Sequence, residues 1–251
     1  MLDSVTLLVI AGTFLLAGLV KGVVGFGLPT VSLALLTVVF GLPQAMALML
    51  VPAFVANIWQ ALAGGGALAV LHRIWPFLLM AAVTVWLGAL ALTRIDVHLL
   101  SALLGLLLVI YSVISLAGLR LSLTARQAVW AGPLIGTVNG VLTGMTGSFV
   151  VPGVLFLQAI GLPRDQLIQA MGMLFFASTL ALGIALGGND FLSVELGGLS
   201  AAALVPALLG MLLGQRLRKG LPEARFRQVF FVALLLLGAY IVAGSSGMLG
   251  F

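Results

Sequence analysis

The sequence predicts an all-α polytopic membrane protein of two inverted repeats, each a glycine-broken helical hairpin plus three transmembrane helices. Three observations lead there. The first is composition. Of 251 residues, 63% are apolar and 7% charged, against about 25% charged in a typical soluble domain. Eleven basic and six acidic side chains do not clothe a core of this size in water. That excludes a soluble globular enzyme, a disordered chain and a nucleic-acid-binding protein. The formal charge of +5 reflects a scarcity of acids more than a basic patch. The second observation is that charges punctuate long apolar runs. The third is that glycine and proline recur at matched places in the two halves.

The elements follow in order. The first apolar run begins at Val5, behind Asp3 and with no basic n-region. It reads as a membrane segment that stays, not a cleaved signal. A spanning helix needs about 20 apolar residues. The charge-free runs place spans near 44–63, 75–93, 98–118, 166–187, 196–214 and 227–243. Two stretches remain, 4–40 and 127–160. Each is too long for one span and short for two. The first carries Gly22-Val-Val-Gly25-Phe26-Gly27-Leu-Pro29, and the second Gly140-Val-Leu-Thr143-Gly-Met-Thr146-Gly-Ser148. Glycine and proline interrupt helices, and interrupted backbone at membrane depth is tolerated only where protein or water satisfies it. Both stretches therefore read as helix–break–helix hairpins, and the chain as ten helical segments.

The halves, 1–120 and 121–251, resemble each other within one integral membrane domain. Gly41-Leu-Pro43 recurs as Gly161-Leu-Pro163, 120 positions later. Gly18 and Gly22 match Gly136 and Gly140 at a spacing of 118, and Gly88 and Arg94 match Gly210 and Arg216 at 122. If each broken stretch returns to its starting side, one side holds Arg73, Arg120, Arg126, Arg164, Arg216, Arg218, Lys219, Arg225 and Arg227, and the other Arg94 alone. If each crosses once, the division is seven and three. The hairpin reading gives the cleaner positive-inside asymmetry. It puts both termini outside and makes the halves inverted copies, an architecture of secondary transporters.

Lys21 is the sharpest single feature, a charge far from any loop cluster and directly before a break. A charge within the bilayer marks a functional site by default. The alternative is a lysine snorkelling to an interface. A helix restarting near Gly27–Pro29 points unpaired N–H groups and a positive dipole end at the gap. Asn139 falls where Lys21 falls in the first half, and Thr143, Thr146 and Ser148 carry hydroxyls into the second break. Together with Gly25, Phe26 and Gly27 they suggest a site for an anion. Helix capping and small-residue packing are the plainer roles for the Thr and Ser residues.

Asn57 and Gln60 share a helix face, and Gln169, Ser178 and Thr179 lie in the corresponding span of the second half. Substrate contact and interhelical hydrogen bonding are open for each. Phe26, Trp59 and Phe175 are candidates to wall a pocket, with packing the plainer role, and Trp75, Trp86 and Trp130 read as interface or packing aromatics. No Cys exists in the chain, no Asp or Glu lies within a predicted span, and the two histidines, His72 and His98, lie next to charges at segment ends. An intramembrane enzyme is therefore not expected, nor is a metal or cofactor. There is no phosphate-binding loop of the ATPase kind.

Ala17-Gly18-Leu19-Val20-Lys21-Gly22-Val23-Val24-Gly25-Phe26-Gly27, Gly41-Leu42-Pro43, and their echo from Gly136 to Pro152 with Gly161-Leu162-Pro163 resemble the TauE/SafE family of membrane transporters (sulfite exporter, or toluenesulfonate uptake permease). The resemblance covers nearly the whole chain. It implies secondary transport of sulfite or an organosulfonate across a bacterial inner membrane, with the two glycine-rich segments lining the path. An anion channel on the same scaffold, or a carrier of another small organic anion, are the alternatives. The expected partners are that anion and the lipid bilayer, with no nucleic acid and a possible homo-oligomer. The sequence departs from the common pattern at Thr143-Gly-Met-Thr-Gly-Ser148 and at Ala47-Leu48-Met49, which bears on the substrate more than on the fold.

Overall fold

The computed structural model describes residues 3–63, 65–119, 121–218 and 223–245, and these contain helices and no strands. Arg120 and Lys219, two of the charges used in the side count above, lie outside the described residues. Among the described residues, seven helical stretches are long and apolar enough to cross a membrane. Large apolar side chains such as Leu8, Leu62, Leu134 and Leu236 are exposed along them. A water-soluble surface does not carry so many, whereas lipid accepts them.

The first hairpin is α1 (Ser4–Val24) and α2 (Leu28–Phe40), interrupted at residues 25–27. Three spans follow: α3 (Leu42–Leu62), then α4 (Ala67–Val83) continued by α5 (Val85–Ala89) and a 3-10 turn, then α6 (Val97–Leu116). The second hairpin is α7 (Ala125–Thr146) and the short α8 (Gly153–Ala159). It is followed by α9 (Arg164–Gly187), α10 (Val194–Leu217) and α11 (Glu223–Ser245). Among the described residues, counting α4, α5 and the 3-10 turn as one gives ten helical segments.

The second break is displaced from its expected place. Helix α7 runs unbroken through Gly140 and Gly144 and ends only at Gly147, which takes a left-handed φ of 72°. The reason is packing. A Cβ on Gly136 would lie 2.4 Å from the Phe77 carbonyl oxygen, on Gly140 2.4 Å from that of Ala81, and on Gly144 2.1 Å from that of Val85. These glycines let two backbones touch, the small-residue device of membrane helices. In α1, Gly18 and Gly22 act the same way, and the break is confined to Gly25–Gly27.

The chain divides into two units, one of Met1–Pro52, Val97–Ala117 and Leu192–Phe251, the other of Ala53–Asp96 and Gly118–Phe191. In the first unit α1 packs on α10. A Cβ on Gly18 would lie 2.1 Å from the Ala207 carbonyl oxygen and one on Gly22 2.3 Å from that of Met211, so these helices run parallel. α6 packs antiparallel on α11, with Gly105 against Gly238 and Tyr111 edge-on to Phe231 at 5.2 Å. α2 lies along α1 and α11. In the second unit α7 packs parallel on α4 and α5, through the glycines above, and α9 packs on α4 and α5. A capping box, Thr124 with Gln127, starts α7.

The packing register also refines the internal comparison. With α1 and α7 matched at 118, Gly18 on Ala207 corresponds to Gly136 on Phe77, and Gly22 on Met211 to Gly140 on Ala81. That spaces α4 from α10 by 130 positions, two helical turns away from the 122 read from Gly88 and Gly210.

Candidate functional site

Four of the expected site residues lie in the first unit. Lys21 occupies the last turn of α1 and is 4% exposed; among the described residues it is the only buried charged side chain. The N–H of Gly25 donates to the Lys21 carbonyl at 2.8 Å and closes the helix. Gly25 has φ 92° and Gly27 φ 106°. Two left-handed residues within three positions turn the chain sharply, and only glycine does so without strain. Phe26, half-buried between them, meets the edge of Phe230 at 6.3 Å. α2 then restarts with Pro29 in its first turn, where a missing N–H costs nothing. The remaining first-turn N–H groups of α2 form a positive dipole end.

The other eight lie in the second unit, and much of their hydrogen bonding is internal. Asn139 accepts the N–H of Gly153 on Oδ1 at 2.8 Å, tying the middle of α7 to the start of α8. The Thr143 hydroxyl donates to the Ser148 carbonyl at 2.9 Å. The Thr146 hydroxyl donates to the Leu142 carbonyl at 2.7 Å and accepts the Ser148 N–H. Thr143 and Thr146 thus hold the break together, the capping role, and their protons are committed in this conformation. Gln60 donates to the Ile168 carbonyl at 2.8 Å, and Gln169 donates to the Ala61 carbonyl at 3.0 Å. This reciprocal pair ties α3 to α9. Asn57 is fully buried.

Several polar atoms of this set remain without a hydrogen-bond partner although buried: Asn139 Nδ2, Ser148 Oγ, Ser178 Oγ, and the Oε1 atoms of Gln60 and Gln169. A buried polar group left unmade costs about 1–3 kcal/mol. Five such atoms fall in the second unit, and each calls for an explanation. Phe175 packs on Phe149 with ring centroids 5.9 Å apart. Trp59 does not wall a pocket; it is 73% exposed, because its position on α3 turns it outward from the face that carries Asn57 and Gln60. Trp75, Trp86 and Trp130 are exposed as well.

A cavity of about 370 Å³ in the first unit lies elsewhere, at the end of α2, the start of α6 and the end of α11, lined by Thr37, Gly41, His98 and Tyr240 among others. No expected site residue lines it. The sequence reading passed over Ser200 and Thr84. Ser200 on α10 bonds to α3, and Thr84 donates to the Thr137 carbonyl on α7. For Ser200 the signal was present: a proline inside a span, Pro52, leaves the carbonyl four residues earlier in need of a donor.

Helices that cross a membrane, two hairpins broken at glycines, and buried donors beside the breaks define a multi-pass membrane protein of the transporter kind. Residues 10–241 match the family model described as Sulfite exporter TauE/SafE, and the chain belongs to that family. No curated protein and no solved structure matches it. The family implies transport of sulfur-containing anions, and so an anionic small-molecule substrate and a lipid environment.

Proposed function

We propose that this protein is a secondary transporter of sulfite or an organosulfonate across a bacterial inner membrane, working by alternating access. The observation that carries this reading is the placement of Lys21, the one buried charge among the described residues, one turn before a glycine break that opens onto a helix N-terminus. A desolvated ammonium attracts an anion far more strongly than one in water. Lys21 neutralises the substrate's charge, while amides of the first break contribute donors. Within the second unit, taken by itself, Asn139 Nδ2, Ser148 Oγ and Ser178 Oγ are buried uncharged donors suited to the oxygens of such an anion, and Asn57, Gln60 and Gln169 belong to the same polar set. Thr143 and Thr146 shape the second break.

Two observations support the return of both hairpins to their starting sides, and with it the inverted repeat. α1 runs parallel to α10, and α11 is the next span after α10. α1 therefore starts at the end of the unit where α11 finishes, and α2 finishes there too, beside Tyr240 and Gly244. In the second unit the N–H of Leu123, just before α7, donates to the carbonyl of Ala159 at the end of α8 at 2.8 Å. Each half then crosses three times in net, and an odd count inverts the second relative to the first. With nine of ten basic residues on one side, both termini lie outside.

The test is Lys21→Ala in proteoliposomes. Insertion and folding persist, while binding and counterflow of sulfite or a sulfonate are lost. Undiminished binding in that variant overturns the site. Counterflow acceleration in the parent protein distinguishes a carrier from a channel.

A further inference from the structure

We infer that Pro52 is a joint built into α3, about which the two compact units turn as the binding site faces each side of the membrane in turn; this rests on the transporter reading above. The basis is where the chain passes from one unit to the other. Three of those passages, Asp96–Val97, Ala117–Gly118 and Phe191–Leu192, fall in or beside connections between helices. The fourth, Pro52–Ala53, falls inside a spanning helix. A connection absorbs a change of direction through its own backbone dihedrals. A continuous helix does not, and it kinks where its ladder of hydrogen bonds is interrupted.

The two parts of α3 are anchored separately. Ahead of Pro52, Ser200 of α10 donates to the Leu48 carbonyl at 2.8 Å and accepts the Val51 N–H at 3.0 Å, all within the first unit. Behind it, the ring centroids of Phe54 and Phe176 lie 5.1 Å apart, and the side-chain amides of Gln60 and Gln169 donate to the carbonyls of Ile168 and Ala61, all within the second unit. A Cβ on Gly172 of α9 would lie 2.6 Å from the Ala61 nitrogen, so α9 grips this part of α3 closely. Proline supplies the weak point between the two anchors. It brings no N–H to the Leu48 carbonyl, and its ring crowds that carbonyl. Ser200 keeps the same carbonyl satisfied, so bending strands no backbone group in lipid. Pro76 in α4, Pro133 in α7 and Pro206 in α10 interrupt spans as well. Each of these has both flanks in one unit, so none lies where two bodies join.

The chain has no cysteine, so spin labels go only where cysteines are introduced. Cysteines replace Val229 in the first unit and Trp130 in the second, both exposed. The distance between the labels is measured on the full chain in lipid nanodiscs, with and without sulfite. Two distance populations are expected, and sulfite shifts their ratio. Pro52→Ala restores the missing N–H. It is expected to hold the labels at one distance, to bind sulfite with parental affinity by thermal shift, and to slow sulfite counterflow several-fold. Pro206→Ala, the control, keeps both populations and the parental rate. A single distance that sulfite leaves unchanged, in a protein that still performs counterflow, overturns the joint and leaves the transporter reading standing. So does a Pro52→Ala protein with the parental populations and rate. Absence of binding and counterflow with sulfite, taurine, isethionate and sulfoacetate counts against the transporter reading and the joint together.

Discussion

The hydroxyl of Ser200 on α10 donates to the carbonyl of Leu48 on α3 at 2.8 Å. That carbonyl is the one Pro52 leaves without its helical partner, since proline has no N–H. The same Ser200 oxygen accepts the N–H of Val51 at 3.0 Å. One side chain therefore repairs the interruption that Pro52 makes in a spanning helix, where no water is present to do it.

Ser200→Ala removes both bonds and leaves the Leu48 carbonyl unmet, at a cost of about 1–3 kcal/mol. Ser112→Ala serves as the control. Ser112 is equally buried, but its hydroxyl only returns to the Leu108 carbonyl of its own helix, which is already paired within α6. Thermal melts in detergent should show a clear loss for the first variant and little change for the second. Equal losses would mean that burial, rather than the repair at Pro52, sets the effect.

Gly18→Val drives a side chain into the Ala207 carbonyl, whereas Gly12, on the same helix, has nothing within 4 Å of a new Cβ. Forcing α1 and α10 apart costs about 3 kcal/mol. Gly12→Ala is neutral, or stabilising by up to about 1 kcal/mol. Expression level and melting temperature of the two variants check this, and a well-folded Gly18→Val protein contradicts the close approach.

Asn139 and Ser178 separate architecture from binding. Asn139→Leu strands the N–H of Gly153 and destabilises the protein by about 1–3 kcal/mol. Ser178 has no partner to lose, so Ser178→Ala leaves the melting temperature unchanged or higher while weakening sulfonate binding several-fold. The ligand-free melt and the ligand titration read the two effects independently. A Ser178→Ala protein with parental affinity removes that hydroxyl from the site.

The absence of cysteine makes orientation directly measurable. Single cysteines replacing the exposed Asp190 and Arg126 should lie on opposite sides of the membrane. A membrane-impermeant maleimide added to intact spheroplasts labels the first and spares the second. Labelling of both from the same side refutes the hairpin topology.

The helical spans and the burial of Lys21 were legible because lipid imposes simple rules: apolar length, rare charge, glycine at breaks. The exact place of the second break was not. Gly140 and Gly144 look like Gly147 in a sequence, yet two of them bring helices together and one ends a helix. The difference lies in what stands opposite, which no local pattern states. For the same reason the sequence offered Thr143 and Thr146 as ligand donors, while their protons go to the Ser148 and Leu142 carbonyls. It left open whether Gln60 and Gln169 touch substrate or each other's helices; their amide nitrogens do the latter. The link from Ser200 to Leu48 spans 152 positions, and only the proline hinted at one end of it.

The pairing of Gly18 with Ala207 also dictates an order of assembly. α10 leaves the ribosome long after α1, with eight helices made between them, so the glycine stripe of α1 must first rest against lipid or a chaperone. α7 has no such wait, because Phe77 and Ala81 on α4 are already in the membrane when it emerges. A chain halted between its halves would strand α1 with nothing to receive it. α1, though made before α10, reaches its final packing only once α10 has emerged.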